Sequence, residues 1–130
     1  MNNQPITTPG QAVCYACKEL YGDTDPRERV VMITLKQNVP IKSNLVALGG
    51  WTSVSLDIRH IAKVALDDYA TQVILLHTHS GSSIPSKADI EETRRVQMAL
   101  KTLDITLLDH IVVGKGEYYS FTDEQTTQVD

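Results

Sequence analysis

The chain has 130 residues, 42% of them hydrophobic and 22% charged, with 16 acidic against 12 basic side chains. Two separate cores would each sit near the lower size limit for folding, so the length predicts one domain over residues 1–130. The hydrophobic share excludes a disordered chain, and a formal charge of −4 weighs against a protein that holds nucleic acid mainly by neutralising phosphates. The uninterrupted apolar runs at 30–33 and 73–76 fall far short of the about 20 residues a membrane span needs. Residues 1–10 carry neither a positive start nor an apolar stretch, so no secretory leader and a cytoplasmic location are expected.

Residues 11–22 read as a helix, with Val13, Ala16, Cys17 and Leu20 on one stripe and Gly22 at its C-terminal end. Cys14 and Cys17 are the only cysteines. A closed structural zinc site needs four ligands and no second pair exists, so both are expected to serve as small core hydrophobes. A polar turn follows, then a mostly buried strand at 30–35. Gln37-Asn38 reads as a turn into a weaker strand at 39–48 that carries Pro40, and Gly49-Gly50 ends it. Residues 51–56 fit either strand or loop, and Trp51 either core or cleft. Asp57 is placed to cap a helix over 58–69, whose Ile58, Ile61, Ala62, Ala65 and Leu66 keep three- and four-residue spacing.

Residues 72–79 read as the next strand, whose continuous apolar run at 73–76, sitting between helices, is the pattern of a central strand buried on both faces. A loop at 80–85 leads to a helix over 87–103, with Ile90, Val96, Ala99, Leu100 and Leu103 inward and a Glu91–Arg95 pair on its surface. A buried strand at 105–113, a Gly114-Lys115-Gly116 turn and a short strand at 117–121 complete the pattern. The folded core is expected over about residues 10–122, with a loose tail at 123–130. This order predicts an α/β fold: a mixed sheet covered by helices.

The chemistry-bearing residues lie around the central strand. His77 and His79 are two apart at its carboxyl end, so both side chains leave the same face and can meet one metal ion. Ser86 and Asp89 stand three apart at the next helix start. That spacing is a capping box, yet a carboxylate in the first turn can also point across to the strand end. Two histidines and one aspartate leave a fourth position for water, the arrangement of a catalytic zinc site. Glu28, ahead of the first strand, could serve such a water as general base; taken alone it reads as a solvated strand-edge charge. His60 reads as a surface residue, Asp109-His110 as a buried hydrogen-bonded pair, and Lys87, Arg94 and Arg95 as a solvated basic face.

Residues 73–121 resemble the RadC-like JAB domain, a branch of the JAMM (MPN-type) metalloprotease superfamily. The resemblance rests on Leu76-His77-Thr78-His79, Ser80-Gly81, Pro85-Ser86 with Asp89-Ile90, Thr93-Arg94-Arg95, the run from Leu108 to Gly114, and Tyr118-Tyr119-Ser120-Phe121. Looser agreement at Glu28-Arg29-Val30-Val31, Gly49-Gly50 and 59–66 extends it to about residues 10–122. It implies a three-layer α/β/α, cytidine-deaminase-like fold and zinc held by His77, His79 and Asp89. It further implies Glu28 as the base, Ser86 as a hydrogen-bond donor to the developing oxyanion, and hydrolysis of a peptide or isopeptide amide.

The chain departs from the family pattern in the loop after His79, which is one residue shorter and lacks the usual proline. The alternative function is therefore a non-catalytic metal-binding interaction module, with a link to DNA repair that only the family's history carries. Longer members carry a helix-hairpin-helix region, for which no segment is expected before residue 10. The expected partner is a peptide or protein substrate rather than nucleic acid.

Overall fold

The computed structural model describes residues 4–22, 27–49 and 56–128. The strand expected from the apolar run at 30–35 is β1 (Arg29–Lys36), and β2 (Val39–Leu48) folds back on it. Gln37 and Asn38 have φ of 52° and 66°, the positive values that a tight two-residue hairpin demands. The remaining strands are β3 (Gln72–Thr78), β4 (Thr106–Gly114), β5 (Glu117–Ser120) and β6 (Gln125–Gln128). They form one six-stranded sheet in the order β2-β1-β3-β4-β5-β6. Only β3 and β4 run parallel; the other neighbours are antiparallel. A parallel pair needs a crossover, and α4 (Lys87–Lys101) supplies it.

Side-chain alternation along the strands builds two cores. Val31, Ile33, Leu35, Ile74, Leu76, Ile111 and Val113 pack with Ala12, Ala16 and Leu20 from α1 (Pro9–Tyr15) and α2 (Cys17–Tyr21). Val30, Met32, Val73 and Leu75 pack on the opposite face with Ile61 and Ala65 of α3 (Ile58–Asp67) and Val96 and Leu100 of α4. The result is the expected α/β arrangement of a mixed sheet between helical layers, with β3 buried on both faces. No helix among the described residues is long and apolar enough to cross a membrane.

Five local expectations are corrected. The helix read over 11–22 is two helices, broken at Ala16 (φ −89°, ψ 5°) and started earlier by a Thr8–Gln11 capping box. The break puts Ala12, Ala16 and Leu20 inward and leaves Cys14 and Cys17 exposed, so neither cysteine is a core residue. In α4, Val96 and Leu100 are buried but Ile90 and Leu103 are not, and Arg95 pairs with Glu92 (2.9 Å) rather than Glu91. The supposed loose tail contains β6, which pairs along β5 from Glu117↔Gln128 to Ser120↔Gln125. Asp57 does cap α3, accepting the Arg59 amide at 3.0 Å. Trp51 and the strand-or-loop question at 51–55 lie outside the described residues.

Candidate metal centre

Val73, Leu75 and His77 alternate onto the face that α4 covers, so His77 enters that core at the carboxyl end of β3, with only 1% exposure. His79 lies just past the strand, but its amide still donates to Val113 O (2.8 Å) across the parallel pair. The extended course continues, and the second imidazole emerges beside the first. Their ring centres are 4.7 Å apart and the planes nearly perpendicular, at 86°.

The start of α4 delivers the carboxylate. Ser86 Oγ accepts the Asp89 amide (3.1 Å) and Asp89 Oδ2 accepts the Ser86 amide (2.8 Å), a reciprocal capping box. The same carboxylate, wholly buried, sits with Oδ1 3.2 Å from His77 Nδ1 and Oδ2 3.1 Å from His79 Nε2. Capping and site-building therefore use one residue. Burial raises the Asp89 carboxyl, but hydrogen bonds from His77, His79 and the Ser86 amide outweigh it and hold the carboxyl well below the carboxylate range. The hydrogen bond to Asp89 in turn raises His79.

His77, His79 and Asp89 bring ligand atoms within 4.8 Å of one another. Two imidazoles and a buried carboxylate are the donor chemistry of an open zinc site and suit other divalent first-row metals as well. An anion this deep needs positive charge facing it, which a metal or protonated histidines provide. The group fits a metal ion.

Glu28 faces the same place. The Val30↔His77 register sets the start of β1 against the end of β3. Glu28 Oε1 is 3.8 Å from His77 Nε2, and its Oε2 accepts the Ser80 amide at 3.3 Å. Glu28, Ser86, both histidines and the 80–82 loop line an open cleft of about 270 Å³. Thus four of the five candidate site residues line one cleft, and the buried Asp89 stands behind its two histidines, at the carboxyl ends of the parallel strands β3 and β4, where α/β sheets place ligands.

The hydrogen bond expected between Asp109 and His110 is present, made to the His110 backbone amide rather than to its ring. Asp109 accepts the His110 backbone amide (2.8 Å), the Ser120 hydroxyl (2.6 Å) and the Thr122 amide (3.0 Å). The His110 ring lies on the α4 face, stacked on Phe121 at 4.7 Å and hydrogen-bonded to Thr93, whose hydroxyl also reaches Asp89 O. Burial, then the neighbouring His77, pushes His110 down to about 3. His60 is exposed, as are Lys87, Arg94 and Arg95. Two contributors received no role from the sequence: Thr93, which ties α4 to His110, and Glu117, which anchors the loop after His79 (Ser83 amide, 2.9 Å). No spacing rule flags either.

Fold and cluster together define a three-layer α/β domain with a His-x-His pair and a helix-start aspartate able to hold a metal. The RadC-like JAB domain profile matches residues 6–126, and the chain belongs to that family. It is 39% identical over 102 residues to a UPF0758 protein of Streptococcus thermophilus, covering 77% of this chain and 45% of that one. It is 34% identical over 127 residues to a UPF0758 protein of Haemophilus ducreyi, covering 96% and 56%. A UPF0758 protein of Flavobacterium johnsoniae matches at 34% over 106 residues, covering 81% and 46%. The chain spans about half the length of the curated relatives it matches.

Proposed function

We propose that this domain is a zinc-dependent hydrolase of peptide or isopeptide amide bonds, acting on a peptide or protein. The observation that carries the reading is the convergence of His77, His79 and Asp89 with Glu28 facing them across the cleft. Zinc held by the three ligands would supply Lewis acidity, bringing the pKa of a bound water down to about 7. Glu28, whose carboxylate faces His77 at 3.8 Å, would take that water's proton and return it to the leaving amine. The Ser80 amide fixes the orientation of Glu28. Ser86 accepts the Asp89 amide and keeps its own hydroxyl proton, which it would donate to the substrate carbonyl oxygen as negative charge develops.

The shortened loop does not keep Asp89 from the histidines, because the capping box sets the helix start locally. Glu28 facing His77 across the cleft is the geometric support for activity over a metal-binding module without turnover. The test is Glu28→Gln on zinc-loaded protein against a panel of fluorogenic peptide and isopeptide amides. The variant should bind zinc like the parent while hydrolysis falls by about 100-fold or more. Equal rates in both would remove Glu28 from the reaction. Zinc-loaded parent protein inactive across the panel would leave the interaction-module reading.

A further inference from the structure

The loop after His79 is held from outside the site. Its anchor is the β4–β5 hairpin, in which Gly114 pairs with Glu117. Glu117 Oε2 accepts both the amide (2.9 Å) and the hydroxyl (2.7 Å) of Ser83, a residue with no exposed surface. The Lys115 amide donates to Gly81 O at 2.9 Å. A Cβ at Gly114 would lie 2.5 Å from Ser83 N and 2.6 Å from Gly81 O, so only glycine lets hairpin and loop approach this closely. Between those two anchors, Ser82 O lies 3.1 Å from His79 Nδ1. A carbonyl only accepts, so this contact assigns the proton to Nδ1 and turns Nε2 toward Asp89, 3.1 Å away.

We propose that Glu117 is a positioning residue of the metal centre: through Ser83 it fixes the Ser82 carbonyl, which sets the ring orientation and tautomer of His79. The inference rests on the metal-site reading above. It also supplies what a loop one residue shorter than the family pattern requires, an external brace in place of its own length. A carboxylate in this role accepts two hydrogen bonds from one loop residue at once, and its other oxygen accepts a hydrogen bond from the Gln128 side-chain Nε2 (3.2 Å) on β6. β6 thereby steadies the brace.

The experiment measures zinc affinity of the full chain by competition with a chromophoric chelator at neutral pH. Glu117→Ala and Gly114→Ala attack the brace from its two sides. Glu117→Gln keeps an amide oxygen for Ser83. Ile33→Val, in the core away from the loop, controls for lost stability. Glu117→Ala and Gly114→Ala should weaken zinc binding roughly 10- to 100-fold, the usual effect of removing an outer-shell partner. Glu117→Gln should recover most of that loss, and Ile33→Val should bind like the parent. Glu117→Ala binding zinc within about twofold of the parent, or Ile33→Val losing as much, overturns the inference and leaves the metal site standing. Parent protein that binds no zinc overturns both.

Discussion

His110 makes stability depend on pH in a way that can be worked out from its surroundings. The ring is 1% exposed, stacked on Phe121, and held at about 3 chiefly by burial. In the unfolded chain a histidine titrates near 6.5. Below that pH the unfolded state takes up a proton that the native state refuses, so stability falls as pH falls. The window runs from about 6.5 down to about 3. At pH 5 the native ring is still neutral, and a gap of about 1.5 pH units at 1.36 kcal/mol each gives a loss of about 2 kcal/mol relative to neutral pH. His110→Phe keeps an aromatic ring against Phe121 and removes the titration. Urea unfolding of metal-stripped parent and variant at pH 7 and pH 5 isolates the effect. The raised carboxyl of Asp109 and raised imidazole of His79 act in both proteins and cancel in the comparison. The parent should lose about 2 kcal/mol more than the variant between the two pH values. Equal losses, within about 0.5 kcal/mol, would refute a buried neutral His110.

Other outcomes follow from single contacts. Leu100, with no exposed surface in the core between α4 and the sheet, should cost about 2–5 kcal/mol as Leu100→Ala in urea unfolding. A cost below about 1 kcal/mol would mean the site collapses around the deletion. Ser86→Ala removes the cap on Asp89 N (3.1 Å) and should lower unfolding free energy by about 1 kcal/mol. If its hydroxyl also serves the oxyanion, the zinc-loaded variant should hydrolyse amides about 100-fold more slowly; the stability loss alone would confine Ser86 to capping.

The parts of the fold written in continuous apolar runs were legible from the sequence. β1 and β3 stand where residues 30–35 and 72–79 predict them, because a strand buried on both faces has no polar position to blur it. The site was legible because its ligands obey local rules. His77 and His79 share a face by strand alternation, and Asp89 is aimed by a capping box whose spacing is visible in the chain. What escaped notice depends on partners distant in sequence or on the backbone alone. β6 has no buried residue and is held by main-chain pairing, so hydropathy carried no trace of it. Glu92 takes Arg95 from Glu91 because it also accepts the Leu56 amide (2.9 Å) from the segment ahead of α3. The break at Ala16 moves Cys17 out of a stripe that an unbroken helix would have buried. Asp109 and His110 are adjacent in a strand and so point to opposite faces, which rules out a side-chain pair however suggestive their adjacency.

The most direct test of the metal centre is the metal content of the chain itself. Protein purified without chelators and given zinc is separated from free metal and analysed by elemental mass spectrometry, beside His77→Ala, His79→Ala and Asp89→Ala. The three clustered ligands predict about one zinc per chain in the parent and loss of tight binding in each variant. A folded, stable parent that retains no zinc, or variants that retain it as the parent does, would contradict a metal centre at His77, His79 and Asp89.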